Sequence, residues 1–403
     1  MSRSHSEPPT AIDATDTTEA AAPAASSRKL AYTWPYPRRS SYEDELRQAA
    51  GAWFRKQGAA VHPRMPYLLR DFADWPRNII LPEVADFIRG EQASRQGVDA
   101  FPLHKYLHHG LSSQAMLFNL VGPLITRNDV TPLAQAFREA GVPWPAGPVT
   151  LKLGEGDRAV FNEDMGQPTS LDLAIYGAAG SAPIFVEAKL SENGFGGCSV
   201  FAAGDCDGHN PAQRLDSCYL HAIGRQYWQR MVEHGVLDSQ LARDTLCPFT
   251  IYYQFFRESL FAAHKGGHFV LLYDARSPVF VRRGRAGAPE MGLWPLLAGL
   301  APAPLRARLH AVTIQQVVAA LRGSTCHADW VVCGGVWAKY VMAERSCGIM
   351  LPWRTQFSCL WKYHVTSSRC FGKSRKSFWR PCASLPPSSG TKPNRFRRPK
   401  RQK

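Results

Sequence analysis

The stretch LDLAIYGAAGSAPIFVEAKL, residues 171–190, decides the fold. Its two flanking runs, residues 171–176 and 184–190, are short, apolar and rich in residues that favour β-strands. The Gly and Pro residues between them predict a turn, so the whole stretch predicts a β-hairpin. Strand side chains alternate between faces, so we expect Glu187 and Lys189 on one face and Val186 and Ala188 on the other.

Two acidic residues and a lysine in this hairpin indicate a functional site. Asp172 interrupts the first apolar run, where a carboxylate is costly unless it is paired or bound to a metal ion. Glu187 and Lys189 follow on the next strand, close to the same end of the hairpin. The alternative is a surface strand that carries an incidental Glu-x-Lys sequence, but the apolar setting favours a site.

Asp172 followed by Glu187-Ala188-Lys189 resembles the PD-(D/E)XK signature of many restriction endonucleases and recombination nucleases. Leu171 stands where that signature has its proline. Three further segments resemble a bacterial branch of restriction-endonuclease-like hypothetical proteins, and the likeness extends over residues 40–342. These segments are residues 112–124, 167–172 and 225–228. The resemblance implies an α/β fold in which a mixed central sheet is flanked by helices.

The same resemblance implies a metal-dependent nuclease. Asp172 and Glu187 would bind Mg²⁺ or Mn²⁺, and the backbone carbonyl of Ala188 would add a third oxygen, a ligand set that suits these cations. Lys189 would orient the attacking water and offset negative charge at the phosphorus. We therefore predict hydrolysis of DNA phosphodiester bonds. The alternative is a catalytically inactive nuclease-fold protein that acts as a nucleic-acid-binding or assembly module.

A third acid is expected near these residues, because many members of the superfamily carry one on the helix before the hairpin. Here that position holds Gln114, which favours the inactive alternative. Glu163, just before the hairpin, is the predicted substitute as a metal ligand. A solvated loop carboxylate is the competing interpretation of Glu163.

A glutamine after the hairpin is the remaining catalytic prediction. In the exonuclease branch of the superfamily, the helix after Glu-x-Lys carries a Gln and a Tyr that reach the site. The apolar spacing of residues 215–235 predicts such a helix, with Arg225, Gln226 and Tyr227 as candidates. The four-residue Gln-to-Tyr spacing of that branch is not reproduced, so Gln226 is the catalytic prediction and Tyr227 is expected to pack in the core.

Cys198, Cys206, Cys218 and Cys247 are the first four of ten cysteines in the chain. Soft thiolates suit Zn²⁺ or an iron–sulfur cluster, and some nucleases of this superfamily hold their domain together with such a cluster. The spacing contains no Cys-x-x-Cys pair. Buried or free thiols therefore remain an alternative to metal ligands.

The charge of the chain is concentrated at its C-terminus. The net charge is +15, but no acidic residue follows Glu344, and residues 354–403 contain fourteen Lys and Arg. We predict a disordered tail over residues 1–35, a nuclease-like domain over residues 36–343 and a C-terminal tail over residues 344–403. That last segment is either a basic disordered arm or the product of a shifted reading frame.

The sequence also predicts the location and partner of the protein. No apolar run approaches the eighteen or so residues needed to span a bilayer, and the N-terminus lacks a signal-peptide pattern. We therefore expect a cytoplasmic protein that acts on DNA and not on a membrane.

Overall fold

The predicted hairpin forms the centre of a five-stranded sheet in the computed structural model. The structure describes residues 38–340, apart from 96, 98, 99, 283–287, 328, 329, 332–334, 337 and 338. The predicted tails, residues 1–35 and 344–403, lie outside the described residues. In chain order the elements are α1 (Arg39–Lys56), β1 (Val61–His62), β2 (Met65–Leu69), α2 (Pro82–Ser94), α3 (Ser113–Thr126), α4 (Thr131–Glu139), β3 (Thr150–Gly156), β4 (Ser170–Tyr176), β5 (Ile184–Lys189), α5 (Ser199–Ala202), α6 (Tyr219–Ala222), α7 (Tyr227–Glu233), α8 (Phe249–His264), β6 (His268–Tyr273), α9 (Leu293–Leu300), α10 (Ala303–Arg306), β7 (Leu309–Thr313) and α11 (Ile314–Gly323).

The sheet is mixed, with strand order β3-β4-β5-β6-β7. Strands β3, β4 and β5 pair antiparallel, whereas β5, β6 and β7 pair parallel. β5 is the central strand, and all six of its residues are buried. A strand that is covered on both faces is apolar nearly throughout, which explains the continuous apolar run at the start of β5.

Helices cover both faces of the sheet, which confirms the predicted α/β class. One hydrophobic cluster contains Val186 and Ala188 together with residues of α2, α3, α4 and α11. The other contains Phe185 together with residues of α7, α8 and α9. Val186 and Ala188 therefore lie on one face of β5 and Phe185 on the other, which confirms the predicted alternation. Glu187 and Lys189 share the face of Phe185, which α8 covers.

The predicted helix over residues 215–235 is wrong. The structure has a short 3₁₀ turn at Leu215–Ser217, then α6, and then α7. Gly224 separates α6 from α7 with a φ of +82°, a left-handed conformation that ends a helix. Of the apolar residues in this spacing, Tyr227 and Met231 of α7 are buried, whereas Tyr219 and Ile223 at α6 are exposed. The spacing around α6 therefore does not mark a side that faces the core.

The residue types of Ser41 and Thr131 predict helix caps at these two positions, and both predictions are wrong. Helix α1 begins at Arg39, so Ser41 lies inside it and does not cap it. The N-cap of α4 is Val130, and Thr131 is already helical. Among the described residues, no helix is long and apolar enough to cross a membrane.

Asn119 is a buried polar residue in the otherwise apolar helix α3, and only 1% of its surface is exposed. Its side-chain oxygen accepts a hydrogen bond from Ile80 N at 2.7 Å. Its amide group donates to Asn78 O at 3.0 Å and to the hydroxyl of Tyr340 at 2.9 Å. Asn119 therefore ties the segment before α2 to the layer that packs on β5.

Replacement of Asn119 by Ala is expected to destabilise the protein, because it leaves the backbone groups of Ile80 and Asn78 buried without this partner. We expect a loss of about 2 kcal/mol or more in the free energy of unfolding, measured by urea denaturation. The matched control is Gln135→Ala on the exposed face of α4, expected to change stability by less than about 0.5 kcal/mol. Equal stability of the two variants would contradict the role of Asn119.

Candidate active site

Asp172 and Glu187 lie side by side at the end of the hairpin. Strands β4 and β5 pair as far as Leu173 and Val186, and Asp172 and Glu187 are the next residue on each strand. Beyond this point the Asp172 carboxylate replaces a backbone partner, since Asp172 Oδ2 accepts a hydrogen bond from Ala188 N at 3.0 Å. The hairpin geometry therefore brings together the two acids that the sequence predicts.

Lys189 is held in place by two partners. Its ammonium group donates to Glu187 Oε1 and to Gln254 Oε1, each at 2.8 Å. Gln254, on α8, donates from Nε2 back to Glu187 Oε1 at 2.8 Å. Glu187 and Lys189 are each only 5% exposed. The three side chains form a closed hydrogen-bonded triangle that fixes the lysine.

Glu258 adds a third carboxylate to this group. It lies one helical turn after Gln254, and its Oε1 accepts a hydrogen bond from Gln254 Nε2 at 2.7 Å. Glu258 is 3% exposed, and its Oε2 is buried without a hydrogen-bond partner among the described residues. Sequence reasoning missed this residue, although two polar residues four apart in an apolar helix were an available signal.

The cluster has more carboxyl groups than ammonium groups. Burial and the neighbouring Glu187 raise the pKa of Asp172 well above its usual value, and the same two causes raise the pKa of Glu258. Burial alone would lower the pKa of Lys189, but the carboxylates of Glu187, Glu192 and Glu258 outweigh it and raise that pKa. Three carboxyl groups therefore share one ammonium group, which suits the binding of a further cation.

Carboxylate oxygens suit a hard divalent cation such as Mg²⁺, but the oxygens of Asp172, Glu187 and Glu258 are not all within 4.8 Å of one another. As they are placed, at most two of the three carboxylates can contact one ion directly. Each carboxylate uses one oxygen for a protein hydrogen bond and leaves the other without one among the described residues: Asp172 Oδ1, Glu187 Oε2 and Glu258 Oε2. Carboxylate oxygens are the ligands that Mg²⁺ prefers. The proposed contribution of the Ala188 carbonyl stays a prediction.

Glu163 does not belong to this cluster. Its Oε1 accepts hydrogen bonds from Thr169 Oγ1 at 2.8 Å, Tyr227 OH at 2.7 Å and Arg257 at 2.9 Å, and its Oε2 accepts one from Thr169 N at 2.6 Å. It is 2% exposed and its charge is balanced by Arg257. The expectation that Glu163 supplies the third metal carboxylate therefore does not fit the structure, in which Glu258 is the third carboxylate of the cluster.

Gln226 is also placed away from the triangle. It lies at the start of α7, where its Oε1 accepts a hydrogen bond from Arg230 at 2.8 Å and its backbone N donates to Phe161 O. The glutamine that contacts Lys189 and Glu187 is Gln254, from the next long helix. Sequence reasoning assigned this contact to Gln226 because it treated residues 215–235 as one helix directly after the hairpin.

Neighbouring candidates have structural partners. Arg225 pairs with Asp164, and Tyr227 is buried in the second hydrophobic cluster, as predicted. Gln114 accepts a hydrogen bond from His104 N at 2.8 Å and donates to Pro102 O at 2.7 Å, so it holds the loop before α3.

The four predicted metal-binding cysteines line one cavity: Cys198, Cys206, Cys218 and Cys247. No residue of the Lys189 cluster lines this cavity.

A mixed sheet with Asp172 and Glu-x-Lys on adjacent strands defines a restriction-endonuclease-like protein. Residues 47–333 match the family described as Restriction Endonuclease associating with ARP, and the chain belongs to that family. No curated protein and no solved structure matches the chain. The family assignment agrees with the resemblance that the hairpin motif carries.

Replacement of Glu258 by Gln is expected to stabilise the metal-free protein above neutral pH. Because folding raises the pKa of Glu258, ionisation of this group opposes folding. This penalty is absent below the unfolded-state pKa of about 4.3 and grows as the pH rises towards the folded-state pKa. Glu258→Gln removes this penalty, so we expect the variant to be more stable than the parent at pH 8.

The measurement is thermal unfolding in EDTA at pH 5.5 and pH 8. Glu258→Gln should gain more stability at pH 8 than at pH 5.5. The control is Glu139→Gln, an exposed acid on α4, which should show no such difference. A Glu258→Gln variant that is less stable than the parent at pH 8 would show that ionisation of Glu258 does not oppose folding.

Proposed function

We propose that this protein is a metal-dependent deoxyribonuclease. The observation that carries the proposal is the cluster of three carboxylates, each with one uncommitted oxygen, around a buried lysine. Membership of a restriction endonuclease family supports DNA as the substrate. Asp172 and Glu187 would hold Mg²⁺ or Mn²⁺, with Glu258 beside them as a third carboxylate.

A bound divalent cation would supply charge neutralisation at the phosphate and a lower pKa for its water. The protein contributes fixed ligands, because the hydrogen bonds from Ala188 N and Gln254 Nε2 orient the carboxylates before any substrate arrives. Rigid placement of this kind reduces the reorganisation needed during the reaction.

Lys189 orients groups and does not act as the general base. Its raised pKa keeps the ammonium form at neutral pH, so the group has no free electron pair with which to accept a proton. An ammonium group has three donor hydrogens, and two of them are used by Glu187 and Gln254. The third is available to donate to the attacking water or to a phosphate oxygen, where it offsets the negative charge that develops.

The inactive alternative loses its main support. Gln114 favours that alternative only if the helix position before the hairpin is where the third acid has to be. In this chain Gln114 holds a loop by two hydrogen bonds, and α8 provides a third carboxylate from the other side of β5. An enzyme is therefore the proposal that the site supports best.

Asp172→Asn and Lys189→Met are each expected to lower DNA cleavage in Mg²⁺ by at least about 100-fold. The first removes a ligand charge and the second removes the group that offsets phosphate charge. The measurement is nicking of circular DNA and shortening of linear DNA, with and without EDTA. The matched controls are Glu139→Gln and Lys152→Met at exposed positions, which should cleave like the parent.

Full cleavage by either site variant, with the controls intact, would rule out this site. Calorimetric titration with Mg²⁺ separates the enzyme from an inactive module. The parent should bind the cation, Asp172→Asn should bind it more weakly, and affinity should fall as the pH is lowered, because protons compete for carboxyl groups with raised pKa values. A parent that binds no cation would favour the inactive module.

Gln254→Ala and Gln226→Ala test which glutamine serves the site. Loss of Gln254 frees Lys189 and Glu187 from one partner each, and a misplaced group of this kind costs up to about 100-fold in rate. Gln226→Ala removes only a contact to Arg230, so we expect a rate within about threefold of the parent. The reverse order of effects would restore Gln226 to the site.

A further inference from the structure

Four cysteine side chains gather at one place on the protein, apart from the proposed catalytic cluster. Cys198, Cys206, Cys218 and Cys247 all line a cavity of about 560 Å³ between the loop after β5 and the start of α8. They are separated by as many as 49 positions in sequence, so the fold and not local spacing brings them together. His209 also lines this cavity.

Backbone hydrogen bonds hold the segments that carry these cysteines. Cys198 N donates to Phe249 O, and Cys247 N donates to Gly208 O, each at 2.8 Å. Gly197 packs so closely on α8 that an added Cβ would lie 2.1 Å from Thr250 O. The loop before α5 and the segment before α8 are therefore fixed against one another on either side of the cavity.

Two of the sulfur atoms accept hydrogen bonds from N–H groups. Gly208 N lies 3.4 Å from Cys206 Sγ, and Trp228 Nε1 lies 3.3 Å from Cys218 Sγ. Trp228 is fully buried, so its indole N–H is directed at the sulfur and not at solvent. N–H donors of this kind stabilise negative charge on sulfur and recur around metal-bound thiolates.

The alternative explanation is that these cysteines are small apolar core residues. Cys198 and Cys247 are buried, which fits that explanation, but Cys206 and Cys218 are partly exposed at the cavity. Core packing also does not explain why N–H donors are directed at the sulfur atoms of these two partly exposed cysteines.

We propose that Cys198, Cys206, Cys218 and Cys247 together bind a soft metal centre, either Zn²⁺ or an iron–sulfur cluster. A single tetrahedral Zn²⁺ with bonds of about 2.3 Å to sulfur needs the sulfurs about 3.8 Å apart. Among the described residues, no three of these sulfurs lie within 4.8 Å of one another. The wider spacing and the size of the cavity suit an iron–sulfur cluster better than a single ion.

The metal centre would fix the position of α8 relative to β5. Cys247 lies two residues before the first residue of α8, the helix that carries Gln254 and Glu258. Cys198 lies on the loop that leaves β5, the strand that carries Glu187 and Lys189. A metal held by both segments joins the two elements that form the proposed catalytic cluster, without contacting that cluster itself.

The test is metal analysis of the full chain purified without oxygen. We expect about one metal centre per chain, as Zn²⁺ alone or as iron with acid-labile sulfide and visible absorbance that bleaches on reduction. These two results identify the metal, and each supports the site. Cys206→Ser/Cys218→Ser should lose at least nine-tenths of the metal, because this variant removes two of the four proposed ligands.

The matched control is Cys326→Ser, a partly exposed cysteine outside the cavity, which should keep the full metal content. Circular dichroism of each variant checks that it is folded. If the double variant fails to fold, a chelator added to the parent should remove the metal and lower the melting temperature together.

Two outcomes would overturn the proposal. One is a parent chain that contains no stoichiometric metal as purified and takes up none from ZnCl₂ or from ferrous iron with sulfide. The other is a folded double variant that keeps the metal of the parent, which would place the metal at other residues. Neither outcome depends on DNA cleavage, so failure of this site is distinguishable from failure of the proposed nuclease.

Discussion

The ammonium group of Lys189, buried between Glu187 and Gln254, is the interaction on which the candidate site depends. A lysine in this position is tolerated only because several carboxylates lie around it, and those carboxylates are tolerated only because the lysine is there. The cluster has three carboxyl groups for one ammonium group, and the raised pKa values of Asp172 and Glu258 show that ionising all three is unfavourable without a cation. A bound cation would favour the ionised forms.

Helix α8 is as important to the site as the hairpin is. It packs against the face of the sheet that carries Glu187 and Lys189, and it contributes one amide and one carboxylate to their hydrogen bonding. Arg257, from the same helix, pairs with the buried Glu163. Polar contacts therefore join the helix both to β5 and to the segment before β4, in addition to its apolar packing.

The sequence was sufficient to predict the hairpin, the mixed sheet and the positions of Asp172, Glu187 and Lys189, because these follow from short-range alternation and from a known signature. The same reasoning failed at Gln226 and Glu163. Apolar spacing does not reveal the left-handed residue at Gly224, and so two helices were taken for one. The partners of Glu163 come from distant segments, and no local pattern shows which oxygen atoms are already used. Glu258 was missed because its importance depends on which strand α8 covers.

Strands β5, β6 and β7 are parallel, and their carboxyl ends lie side by side at Lys189, Tyr273 and Thr313. Buried Asp274 directly follows β6 at this end of the sheet, and it accepts hydrogen bonds from Arg276 and from Gln315. The loops that follow these three strands therefore begin beside Lys189. Loops tolerate sequence change better than the strands they connect, so the surroundings of the proposed site can diverge while Asp172, Glu187 and Lys189 stay in place.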